Sequence, residues 1–335
     1  MPDATPTSIA PPSPPARRNK VWVVAQFAVA AIVFISIGRA LAGQWRDYQH
    51  TALVVHPDWR FIALSGIVVL ATYALLIEVW RRILAEWKST ISFGDAARIW
   101  CVSNLGKYVP GKVWQILAMG QMAQSINVPP AAAAGSAIVS TVVNIGMGFA
   151  VAVVTGWSAL DVISKGHAAL GIVIAVATVG GVLLLPVMIP FAVRLASRIT
   201  RRPLDLGTLP RRAVYIAIVG NIAAWILYGW SFQLLVHGVL GNTRGSLGDY
   251  IAAYALSYVI GYLVLVVPGG IGTRELVQTT ALTAMGLADV KQAAVIAVTS
   301  RLWLTVLELL PGFIYLARGA RRRPQATTAR DRSKP

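Results

Sequence analysis

Two short segments of this chain combine proline, glycine and cationic side chains in a way that suits the holding of an anion. The first reads Asn104-Leu105-Gly106-Lys107-Tyr108-Val109-Pro110-Gly111-Lys112-Val113-Trp114-Gln115, and the second Pro268-Gly269-Gly270-Ile271-Gly272-Thr273-Arg274-Glu275. Proline lacks a backbone donor and glycine tolerates unusual dihedrals, so each Pro-Gly should end one helical arm and let the chain turn back. A new arm then begins, and its unpaired amides add positive potential to Lys112 and Arg274. Together the tips suit a phosphate. The candidate binding residues are Lys107, Tyr108, Pro110, Gly111 and Lys112 at the first tip and Gly269, Gly270, Thr273, Arg274 and Glu275 at the second, with Asn104 behind them. A plainer reading stands beside this one: Lys107 and Lys112 snorkel to the surface from a shallow loop, and Arg274 pairs locally with Glu275.

Near the C-terminus, Arg301, Thr305 and Glu308 recur at helical spacing and fall on one face, where they can line the same cavity. Arg301 lies mid-span, too far from either end to snorkel easily, and is expected to face the interior. Glu308 and Glu78 sit nearer span ends. Three roles are open to them: partners for Lys107 or Lys112, proton carriers, or partners of neighbouring arginines. Asn144 and Asn221 read as hydrogen-bonding glue between helices. Of Trp225, Tyr228, Trp230, Trp303 and Tyr315, most read as anchors at the lipid interface.

Other chemistries find no support. The four histidines, His50, His56, His167 and His237, lack metal-ligand spacing, and Cys101 is the only cysteine, so neither a metal site nor an intramolecular disulfide is expected. Gly269-Gly270-Ile271-Gly272 has the wrong spacing for a dinucleotide fingerprint and no strand before it, and there is no Walker lysine motif. No cofactor and no ATP-driven step are expected.

The elements that must position these residues are membrane helices. The chain has 335 residues, 56% of them hydrophobic and 13% charged, and a mean hydropathy of +0.64, far from the balance of a soluble domain. Six stretches are long enough for a hydrocarbon core of about 30 Å: Val21 to Leu41, Phe61 to Trp80, Ala131 to Trp157, Ala168 to Val193, Ala213 to His237 and Val290 to Ala317. The net charge of +17 sits beside these spans without any nucleic-acid-binding motif, so a membrane surface, not nucleic acid, is its expected partner. Arg17, Arg18 and Lys20, then Arg81, Arg82 and Lys88, then the arginines from Arg194 to Arg212, then Arg318 to Arg323 form four cytoplasmic clusters by the positive-inside rule. Both termini are therefore expected in the cytoplasm of a multi-pass protein of the plasma or inner membrane. Ala40-Leu41-Ala42 resembles a signal cleavage site, but the segments before it are too long, and the first span is expected to stay.

The two Pro-Gly segments sit in apolar regions, 92–124 and 246–286, that share a plan. The first opens on Ser92-Phe93-Gly94-Asp95 and ends near Met119-Gly120; the second opens on Ser246-Leu247-Gly248-Asp249 and ends at Met285-Gly286. Loop charges place their entrances on opposite faces. The sequence thus predicts an all-α inverted three-plus-three repeat of six spans and two helical hairpins, re-entrant or nearly full crossings, over 21–318. A disordered tail precedes it (1–20) and a basic tail follows (319–335). Such repeats, with broken helices meeting near the midplane, belong to the architecture of secondary transporters.

At these two hairpins the chain resembles the flippase-like transmembrane domain of the lysylphosphatidylglycerol synthases and its stand-alone relatives, the tip motifs standing in that family's order. The resemblance covers roughly Val21 to Arg318. It implies movement of aminoacylated or other anionic-derived lipids between leaflets. Only a short basic tail follows Arg318, so aminoacyl transfer is not expected. The leading expectation is a membrane lipid translocase for a phosphate-bearing or aminoacylated lipid, and not an enzyme. The alternatives are an intramembrane transferase using Glu78, Glu275 or Glu308 as base, and a non-transporting scaffold for an envelope-lipid enzyme partner.

Overall fold

A computed structural model describes residues 57–108, 113–156, 168–184, 210–263 and 272–321. The stretch from Val21 to Leu41, the N-terminal tail, most of the C-terminal tail and the segments 109–112 and 264–271 lie outside these residues, and with the last two go Pro110, Gly111, Lys112, Gly269 and Gly270.

Every regular element among the described residues is helical. In chain order they are α1 (Trp59–Glu86), α2 (Phe93–Asn104) running into a 3₁₀ turn (Leu105–Tyr108), α3 (Val113–Gln124), α4 (Pro130–Thr155), α5 (Ala168–Leu183), α6 (Arg211–Leu240), α7 (Leu247–Leu263), α8 (Thr273–Ala284) and α9 (Val290–Arg321). Among the described residues, four stretches are long and apolar enough to cross a membrane: Trp59–Glu86, Gly135–Thr155, Arg211–Leu240 and Val290–Arg318. Of the stretch from Ala168 to Val193, α5 is the described part; its 16 residues, at 1.5 Å each, reach about 24 Å.

The distribution of polarity is that of a protein solvated by hydrocarbon. Ser65, Thr72, Asn221, Gln278 and Ser300 are buried, while Ile67, Val154, Val219 and Phe313 are exposed. In water the exposed aliphatic groups would be a large unfavourable surface; against acyl chains they are not. Inside, hydrogen bonds join the long helices. Ser231 Oγ donates to the Ser65 carbonyl at 3.0 Å and lies 3.0 Å from Ser65 Oγ, tying α6 to α1. Asn144 Nδ2 donates to Asn221 Oδ1 at 2.7 Å and the Trp225 indole donates to the Asn144 carbonyl at 3.0 Å, tying α4 to α6. The two asparagines are thus the interhelical glue their isolation in apolar spans suggests.

The described arms of each hairpin region lie against one another, α2 on α3 and α7 on α8. Each first arm opens on the same local device. Ser92 Oγ accepts from the Asp95 amide at 3.1 Å and donates to its carboxylate at 2.7 Å; Asp249 Oδ2 accepts from both the amide and the hydroxyl of Ser246 at 2.8 Å. The serine and aspartate satisfy donors that helix geometry leaves open.

Helix α9 carries Pro311 in its interior, and the following Gly312 brings it onto the end of α2. A Cβ at Gly312 would sit 2.9 Å from the Cys101 carbonyl oxygen and equally close to the Leu105 side chain. Gly312→Val is therefore expected to push α9 off α2 and the 3₁₀ turn, at a cost of about 2 kcal/mol. A lower thermal midpoint and a smaller monodisperse fraction of the purified protein would show it; an unchanged midpoint would mean that this contact is not tight.

Candidate functional site

All described helices except α5 contribute to the wall of one cavity of about 160 Å³. Asn104 and Lys107 enter it from the first hairpin region, Arg274 from the second, and Arg301 and Glu308 from α9. Lys107, Arg274, Arg301 and Glu308 all line it, so side chains from the two hairpin regions share one space. That meeting is the feature the spacing of the two motifs anticipates, and residues beside the tips carry it.

The 3₁₀ turn lifts Lys107 off the end of α2 toward α9, where its Nζ lies 2.5 Å from Glu308 Oε2. Beside it, Gln115 Nε2 of α3 donates to Asn104 Oδ1 at 2.6 Å, bracing the two arms. Arg301 projects inward as its mid-span position requires, and its Nε lies 3.6 Å from Glu275 Oε1. One turn along α9 the Thr305 hydroxyl donates to the Arg301 carbonyl at 2.8 Å and faces no cavity. The expectation that Thr305 shares the lining is thus corrected: its hydroxyl is bonded to its own helix backbone.

Arg274 is the unusual member. It is 6% exposed, its guanidinium lies 5.0 Å from the Tyr254 ring centroid and 4.9 Å from that of Tyr258, and Nη2 is buried with no hydrogen-bond partner. Among the described residues no carboxylate stands within ion-pair distance of it. The local Arg274–Glu275 pair is therefore excluded, because successive helix residues point about 100° apart and Glu275 turns to Arg301 instead. Two tyrosine faces offset part of the cost of burying the cation. Gly261 of α7 makes this approach possible, since a Cβ there would lie 3.0 Å from Arg274 Cβ.

The tyrosines were legible as a pattern and were missed. Tyr250, Tyr254, Tyr258 and Tyr262 recur every fourth residue along the arm before the second tip and so form one stripe of α7. Tyr254 stacks on Tyr228 with centroids 5.5 Å apart, and Tyr258 meets Trp225 edge-on at 5.3 Å. Trp225 is 1% exposed and both it and Tyr228 line the cavity, so for these two the lipid-interface reading is corrected: they sit mid-helix, where the interior claims them. Trp230, by contrast, is exposed.

The remaining candidates stand apart. Thr273 opens α8 and does not line the cavity; Tyr108 closes the 3₁₀ turn. Glu78 lies outside the cavity between two arginines, accepting from Arg81 Nε at 2.7 Å and Arg82 Nε at 2.8 Å. Glu275 and Glu308 each face a cation, Arg301 and Lys107 respectively. Among the described residues no cluster of histidine, cysteine, aspartate and glutamate suits a metal ion. Chemically the described residues offer a guanidinium whose Nη2 has no hydrogen-bond partner, an aromatic wall and two ion pairs, a donor set suited to an anion. No protein-family model matches the chain, and no curated protein is detectably similar to it.

Proposed function

We propose that the protein is a flippase-like lipid translocase of the cell membrane that moves a phosphate-bearing or aminoacylated lipid between leaflets. One observation carries it: Arg274, buried and without a carboxylate partner among the described residues, carries an unsatisfied Nη2 in a cavity wall shared by both hairpin regions. An orphaned buried donor of this kind is costly, and a phosphate oxygen supplies what it lacks.

The proposed architecture is six spans and two hairpins in two inverted halves, with both termini cytoplasmic. The packing supports it. The first arm α2 lies on the last span α9, and the corresponding arm α7 lies on α4, the corresponding span of the other half. Each second arm packs on the span that follows it, α3 on α4 and α8 on α9, while α1 packs on its counterpart α6. Exchange of two such halves about a pseudo-two-fold opens a shared site to alternate sides. The resemblance of the two tip motifs to the flippase-like domain of lysylphosphatidylglycerol synthases points the same way.

The test is reconstitution into proteoliposomes containing a fluorescent phospholipid, followed by a membrane-impermeant quencher. Protein-dependent exposure of the inner-leaflet label is expected. Activity that persists in Arg274→Gln would sink the proposed site.

A further inference from the structure

The charge balance of the cavity selects among phosphates. Lys107 is matched by Glu308 and Arg301 by Glu275, with side chains of these four residues between 10% and 23% exposed. Arg274 is matched by no carboxylate among the described residues and rests on the Tyr254 and Tyr258 rings. Among the described residues, three cations against two carboxylates leave one positive charge on side chains that are mostly buried. A bound headgroup with one negative charge brings the site to neutrality. A headgroup with two leaves a net negative charge beside Glu308, which lines the same cavity as Arg274. Charges at such separations interact strongly when water is excluded, so one unit of imbalance is decisive.

Resting on the phosphate reading of this site, we infer that the cavity takes a monoanionic phosphodiester headgroup in preference to a phosphomonoester or diphosphate, with Glu308 setting that preference. The guanidinium fork donates to two oxygens of the diester through Nη2 and its neighbour. Glu308 excludes the second charge while it holds Lys107.

Two short-chain probes that differ by one methyl group isolate the charge: phosphatidylmethanol, a diester with one negative charge, and phosphatidic acid, a monoester carrying about 1.5 to 2 near neutral pH and more fully ionised above it. Binding of each to the purified full-length protein at pH 8 is read from quenching of intrinsic tryptophan fluorescence, to which Trp100 and Trp225 in the cavity wall contribute. The wild type is expected to favour phosphatidylmethanol by about tenfold. Glu308→Gln, which raises the balance to two positive charges, is expected to invert the order. Combining it with Lys107→Gln returns the balance to one and is expected to restore the wild-type order, which separates charge from loss of folding. A wild-type preference for phosphatidic acid, or a ratio indifferent to Glu308→Gln, overturns the inference while leaving phosphate binding in place. Failure of the wild type to bind either probe overturns the phosphate reading itself and this inference with it.

Discussion

Replacing Arg274 with glutamine is expected to lower phosphate-headed lipid movement in proteoliposomes about 50-fold, the equivalent of roughly 2.3 kcal/mol lost between a guanidinium and a phosphate. The detergent-solubilised variant is expected to keep its thermal midpoint or to gain slightly. The reason is the position of Arg274 in the charge balance. Most buried arginines cannot be removed without stranding a carboxylate, but this one faces two tyrosine rings and no carboxylate among the described residues. Glutamine fits the same space and removes an unsatisfied donor along with the unmatched charge. Function and stability therefore part company at this residue, which a merely structural arginine would not allow. A variant that loses transport and folding together would place Arg274 in the scaffold instead.

Lysine at the same position sharpens the expectation. It keeps the charge but loses the planar fork and the stacking on Tyr254 and Tyr258, so Arg274→Lys should fall between wild type and glutamine, about tenfold below wild type. Equal activity of lysine and arginine would mean that the site reads charge alone.

How much of this was written in the sequence differs from residue to residue. The starts of the two first arms, near Asp95 and Asp249, were legible because a first-turn aspartate is a local signal that needs no knowledge of what packs where. Arg301 was legible because a mid-span cation has nowhere to go but inward. The Glu275 partner was legible only in part: its adjacency to Arg274 invites a local pair that helix geometry forbids. Pairing of Lys107 with Glu308 was left among three options, since nothing local to either residue says that the 3₁₀ turn brings the lysine to α9. Tyr254 and Tyr258 escaped because tyrosines in an apolar arm carry no local mark of function until the stripe they form is matched to a cation. Local chemistry announces itself in a sequence; the pairing of distant charges is set by the packing of whole helices.

The counterpart to Arg274 is Arg301, and its loss is expected to have the opposite signature. Arg301→Gln removes the cation that faces Glu275, whose Oε1 lies 3.6 Å from Arg301 Nε and whose Oε2 is buried with no hydrogen-bond partner. The carboxylate is then left uncompensated at 10% side-chain exposure. Breaking a buried pair from one side typically costs about 3 to 5 kcal/mol, and the 3.6 Å separation puts this pair near the lower figure. Unfolding in detergent is expected to begin at distinctly lower temperature, with transport falling as folded protein is lost. Adding Glu275→Gln removes the stranded charge, and the double variant is expected to recover most of the lost stability, because replacing both partners leaves neither charge unmatched. It also leaves the cavity with Lys107, Glu308 and Arg274, the same single positive charge as the wild type. Phosphate-headed lipid movement should then return with folding, whereas adding Glu275→Gln to Arg274→Gln restores nothing. A double variant no more stable than Arg301→Gln alone would show that the pair is held for its packing and not for its charge.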